Sequence, residues 1–222
     1  GMNAVWNNGG SATLDTGLGN PGQSMRHPGT SGSFSGGNTN SVSFGPVGPV
    51  GSQILRYTAD IYDDGTSANK RTTAGLRKAA GANIIEMGMY NSPQHYAYRT
   101  ILFPAPDGTN WQAFSGIVDD GGSPIQNAPV AGWHRFSVDI TATMATFTLD
   151  LNSDGNINAT ASVPIPVPAD AFDIIRLGGP SDLSSGGGGL NCDNVSLPLI
   201  PEPAALALAC CGLIGLAARR RR

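Results

Sequence analysis

The chain has 222 residues, 40% of them apolar, which is enough to bury an ordinary core with no metal or disulfide framework needed for folding. With 31 Gly, 16 Pro and only 13% charged residues, it reads as many short strands between turns rather than as a disordered polymer. The formal net charge is −3, and the part from Met2 to Ile200 is more acidic, because four of the basic residues are Arg219, Arg220, Arg221 and Arg222. A mildly acidic body with no basic stripe excludes nucleic acid as a partner.

At the start, Gly1-Met2-Asn3-Ala4-Val5-Trp6 has neither a basic nor an apolar leader segment, so the chain is expected to begin inside its domain, without its signal peptide and first strand. Period-2 alternation then marks strand after strand. Leu55, Tyr57, Ala59 and Ile61 share one face, opposite Arg56, Thr58, Asp60 and Tyr62. The stretch from Thr72 to Ala82 is the only place outside the tail where a short helix fits. Strands are expected over Ile84 to Tyr90 and Tyr96 to Phe103. Trp133 to Ile140 alternates with His134, Phe136, Val138 and Ile140 on one face, and the next run does so with Ala145, Phe147, Leu149 and Leu151. Ile157 to Val163, Phe172 to Gly178 and Cys192 to Leu197 complete the series. The run Gly186 to Gly189 reads as a connector.

Several side chains invite chemistry. Asp150, Asn152 and Asp154 stand at the first, third and fifth positions of a loop with Gly155 at the sixth, the front half of a calcium loop. Twelfth in that count is Ala161, where a bidentate Glu belongs, and Asp154-Gly155 also suits the tip of a hairpin. Both readings stand at this point. Tyr90, Tyr96, Tyr98 and Trp111 flank turns and are candidates for a glycan-binding platform, with core packing as the other reading. Asp63-Asp64-Gly65 reads as a turn. His27, His95 and His134 lack metal-ligand spacing, and no Gly-x-Ser-x-Gly elbow or phosphate loop is present. Cys192, Cys210 and Cys211 are no disulfide framework and read as small buried hydrophobes.

The tail is more specific. Ala204 to Ala218 is an unbroken run of fifteen apolar or small residues, followed by Arg219 to Arg222. As a helix it spans about 22 Å, and snorkelling arginines with local thinning make up the rest of the bilayer core. The arginines place the C-terminus in the cytoplasm and the body on the far side. Pro201-Glu202-Pro203 stands just before. Triplet, apolar run and arginine cluster, in that order at a C-terminus, resemble the PEP-CTERM family. The resemblance implies an exported protein processed near the triplet by an exosortase-type enzyme, and an association with exopolysaccharide. Pro201, Glu202, Pro203 and Arg219 to Arg222 are then the sorting signal.

The body's segments, in order, resemble laminin-G/concanavalin-like jelly rolls: Gly132-Trp133-His134-Arg135-Phe136-Ser137-Val138-Asp139, Phe147-Thr148-Leu149-Asp150, Ile175-Arg176-Leu177-Gly178 and Asp193-Asn194-Val195-Ser196-Leu197. This implies an all-β jelly-roll β-sandwich. Alternation places Asp193 on the inward face with Val195 and Leu197, where a buried carboxylate needs a cation or several donors. The resemblance suggests structural calcium there, and a backbone or arginine partner is the other reading. Glycanases on such folds pair carboxylates along a strand. Here Glu86 is the only Glu before the tail, and no acid stands two or four residues away.

The expected organisation is a sandwich over residues 1–198 and a sorting tail over 199–222 containing a short C-terminal transmembrane helix. The expected function is an exported, non-enzymatic surface or extracellular-matrix protein, with the membrane, an exosortase-like enzyme and polysaccharide as partners. A lectin-like carbohydrate-binding module is the second reading and a cryptic glycanase the third.

Overall fold

The computed structural model describes residues 12–27, 39–66, 71–79, 84–90, 95–101, 111–165, 171–178 and 190–201. They form fourteen strands and, among the described residues, no helix. In chain order these are β1 (Thr13–Asp15), β2 (Ser24–His27), β3 (Thr39–Val47), β4 (Ile54–Asp63), β5 (Arg71–Arg77), β6 (Ile84–Tyr90) and β7 (Tyr96–Ile101). After them come β8 (Gln112–Ala113), β9 (Gly132–Ile140), β10 (Met144–Leu151), β11 (Ala159–Pro164), β12 (Phe172–Gly178), β13 (Leu190–Ser196) and β14 (Leu199–Ile200). In the stretch from Thr72 to Ala82, where a short helix would fit, the described residues up to Arg77 form a strand. Arg71–Arg77 is a strand because Thr72, Ala74 and Leu76 alternate inward between β12 and β6.

Two antiparallel sheets face each other. One runs β1-β2-β13-β4-β9-β10-β11, with β14 also paired to β4, and the other runs β3-β12-β5-β6-β7-β8. The chain crosses between sheets after β2, β3, β4, β8, β11 and β12, which is the winding of a jelly roll. The core is the alternation made solid: Tyr57, Phe136 and Phe147 from one sheet meet Leu76, Ile85, Met87 and Tyr96 from the other. Tyr98 stacks on Phe147 with ring centroids 4.7 Å apart. Each fully buried large apolar side chain contributes about 1.5–3 kcal/mol relative to exposure.

The last strand runs past the expected boundary at Pro198. Arg56 N–H donates to Pro198 O (3.0 Å), and Leu199 and Ile200 then pair with Leu55 and Ile54. The first two residues of the expected tail are therefore part of the sheet.

Candidate functional site

On the six-stranded sheet, inward Leu76, Ile85, Met87, Tyr98, Ile175 and Leu177 leave their alternates on the outer face. Those alternates include Arg77, Glu86, Arg99 and Arg176. Register brings them together, for Glu86 lies opposite both Arg99 and Gly75, and Arg176 lies opposite Gly75. A Cβ on Gly75 would stand 2.6 Å from Glu86 Cγ, so only glycine leaves room for that side chain. Arg77 donates to one Glu86 oxygen and Arg99 to the other (2.6 Å). Three guanidinia crowd around one carboxylate, and their positive charges repel one another. Arg176 feels it: burial, Arg77 and Arg99 pull its pKa down to about 10, against the opposing effect of Glu86.

Tyr90 and Trp111 border this cluster, stacked with centroids 4.5 Å apart, and the Arg99 guanidinium lies 5.0 Å from the Trp111 ring centre. Two of the four candidate platform residues are thus brought together. The other two are corrected. Tyr96 is 1% and Tyr98 8% exposed, and both face the core because β7 presents Ala97 and Arg99 outward instead. The Tyr98 hydroxyl donates to Gln112 (3.2 Å).

Tyr96 belongs to a buried polar chain that sequence spacing hid. Asp63 Oδ2 lies 2.5 Å from His95 Nε2 and accepts from the Tyr96 hydroxyl (3.2 Å). The same hydroxyl lies 3.1 Å from His134 Nε2. Only the pairing of β4 with β9 and the stacking of the two sheets unite residues so far apart in sequence; Asp63 and His134 both point inward, where alternation alone offered a hint. Asp63 is fully buried and also holds the expected turn, for its carboxylate accepts the Gly65 N–H (2.9 Å).

The calcium candidates are occupied otherwise. Asp150 accepts from the N–H groups of Asp154 (3.1 Å) and Gly155 (3.0 Å), and Asp154 accepts from the backbone and side chain of Asn156 (2.8 and 2.9 Å). Asn152 has φ 72° and turns its amide toward Asp120 (3.5 Å). The bonds of Asp150 and Asp154 close the β10–β11 hairpin. Asp150 carries a raised pKa from burial, opposed by its two backbone donors. Among the described residues, no three of His, Cys, Asp or Glu are grouped to hold a metal.

Asp193 also departs from the expectation. It faces outward, opposite Asp60, because Cys192 takes the inward position. Between Asp193 and Ser196, β13 uses one more residue than β4, and Asn194 absorbs it with φ 48°. That bulge returns Val195 and Leu197 to the core. The Asp193 carboxylate accepts backbone N–H groups of Asn20 and Asn194, each at 2.8 Å. Arg135 pairs instead with fully buried Asp60 (2.7 and 2.8 Å), which also accepts from the side chains of Asn20 and Asn194. Above this network opens a polar cleft of about 670 Å³, lined by Asn20, Pro21, Thr58, Arg135, Asn194 and Ser196.

The sorting residues Glu202, Pro203 and Arg219 to Arg222 lie outside the described residues, while Pro201 ends them, exposed and next to β14. No helix among the described residues is long and apolar enough to cross a membrane.

Comparison with known proteins supplies the context. Residues 199–222 match the PEP-CTERM protein-sorting motif. Of solved structures, a functionally unknown protein from Saccharomyces cerevisiae is 9% identical with a TM-score of 0.51, covering 90% of this chain and 96% of its own. The lectin UEA-II complexed with galactose, lectin II of Ulex europaeus, is 9% identical with a TM-score of 0.50, covering 89% of this chain and 92% of its own. An alginate lyase from Klebsiella pneumoniae is 12% identical with a TM-score of 0.49, covering 87% and 86%. No curated protein matches the chain. The body is a lectin-like jelly-roll sandwich. It stands ahead of a PEP-CTERM sorting motif, the signal of an exported protein held at the membrane before processing.

Proposed function

We propose that the chain is an exported, non-enzymatic module, sorted through its tail by an exosortase-type enzyme and delivered to the cell surface or extracellular matrix. The sorting motif at residues 199–222, joined to the sandwich with no linker between it and the sheet, carries this reading. Replacing Pro201-Glu202-Pro203 with alanines should leave unprocessed protein in the membranes of a competent host. Normal release of that variant to the exterior would refute sorting through the triplet.

In this reading the body contacts acidic exopolysaccharide through the outer face of the six-stranded sheet. The guanidinium groups of that face suit carboxylate or sulfate groups, and a Tyr90–Trp111 ledge offers apolar contact to sugar rings. The protein should be retained by a polyuronate more than by dextran, with retention weakened by salt and by Trp111→Ala. Equal retention by both polymers would count against the assignment. Glu86 suits a structural role in that face. Its carboxylate is committed to Arg77 and Arg99, and the residues in register with it across β5, β7 and β12 are Gly75, Arg99 and Arg176, with no second acid among them.

A lectin with a defined neutral glycan is the second reading, favoured by the polar cleft of Asn20, Arg135 and Asn194. A glycan array separates the two. Selective binding of one neutral glycan, lost in Asn194→Ala, supports the lectin, and binding to acidic polymers alone supports the matrix module.

A further inference from the structure

A second cavity lies between the sheets, sharing Asn194 and Val195 with the polar cleft. Strands β1, β2 and β13, at one side of their sheet, and β3 and β12, at one side of the other, border about 530 Å³. Its walls are largely apolar, formed by Leu14, Met25, Leu177, Cys192 and Val195, and Leu14 at 64% exposure marks its open side. This size and lining are those of a small-molecule pocket.

One wall residue is out of keeping. Asn40 points inward from β3 opposite Leu177, is 1% exposed, and neither its Oδ1 nor its Nδ2 has a hydrogen-bond partner. Buried amides are nearly always paired, so a doubly unmet one calls for an explanation. The neighbouring polar groups do not supply it. Ser24 Oγ donates to Leu18 O and accepts from Asn191, and the Asp193 carboxylate is engaged by backbone N–H groups. A carboxamide offers a donor and an acceptor side by side, and its complement is another amide edge with the two reversed.

We propose that this cavity binds a small, largely apolar molecule that presents an amide or lactam edge to Asn40. The apolar walls take the body of the ligand, Nδ2–H donates to its carbonyl, and Oδ1 accepts its N–H. The site is independent of polysaccharide contact and of sorting, so it stands or falls separately from them.

The probe is benzamide, with acetophenone as a control of the same shape that lacks the N–H. The intact chain, labelled at its methionine methyl groups, is titrated with each and followed by NMR. Benzamide should shift Met25, which lines the cavity, and leave Met144, at the other end of that sheet, unmoved. It should bind about tenfold more tightly than acetophenone, the order expected for one to two net hydrogen bonds. Asn40→Leu should make the two probes equal. Asn40→Ala, which removes both the amide donor and the amide acceptor, should do the same and serves if the leucine variant does not fold. An unmoved Met25, equal binding of both probes to the unaltered chain, or a benzamide preference that survives in either folded variant would overturn the proposal.

Discussion

His134 shows how a residue that looked isolated becomes a determinant of stability. Its Nδ1 accepts the Asn152 N–H (3.2 Å), which leaves the Nε2 proton for Val130 O (2.6 Å). The ring is therefore neutral in the fold, and burial lowers its pKa from 6.5, with Val130 and Asp63 opposing. Between the lowered value and 6.5 the unfolded chain holds a proton that the native chain does not. The stabilisation is complete above 6.5 and declines as pH falls through that window. The melting temperature should accordingly drop between about pH 7.5 and about pH 5, as Nδ1 takes a proton and loses Asn152. His134→Gln should flatten that slope, whatever its effect on stability at neutral pH. An equal slope in both proteins would place the pH sensitivity elsewhere.

Hairpins and bulges decide which of the acidic residues are available at all. In the β10–β11 turn, Asp150 holds two backbone N–H groups, and removing it as Asp150→Ala should cost about 1.5–3 kcal/mol, the net worth of hydrogen bonds to a charged acceptor. The turn is closed by hydrogen bonds of its own residues. Chelator should then leave the melting curve of the unaltered protein in place, since only a ligand that binds the native state raises it. A fall in chelator that added calcium reverses would restore Asp150, Asn152 and Asp154 as ligands. The same test covers Asp193, which the Asn194 bulge turns from the core toward Asn20.

For the molecule as a whole, the join between sandwich and tail matters most. Leu199 and Ile200 complete the β13 side of β4 beside fully buried Leu55, so the sorting triplet begins one residue after a paired strand. A body ending at Ile200 should melt a few degrees above one ending at Pro198, because about 1 kcal/mol moves the midpoint of a domain this size by 2–4 °C. Identical melting points would mean that β14 contributes nothing and that the domain ends at Pro198. Processing after Ile200 would leave the sandwich intact, whereas processing before Leu199 would remove part of it.

Alternation of apolar and polar residues was legible in the chain, because a strand between two environments writes its period of two directly into composition. The inward sets of β4, β9 and β10 follow from it residue by residue, and the tail follows from a motif whose parts are contiguous. The short segment Arg71–Arg77 was ambiguous, since seven residues with one glycine suit either period until β6 and β12 flank it. Asp193 was misassigned because a single extra residue reverses a period-2 pattern, and nothing local announces a bulge. Tyr90 with Trp111, His95 with His134, and Glu86 among Arg77, Arg99 and Arg176 depend on register across strands. Local sequence determined the plainly alternating strands such as β4, β9 and β10, their buried faces and the sorting signal. Tertiary structure alone decided which outward and buried polar groups meet, because those meetings are set by the pairing and stacking of sheets between residues far apart in the chain.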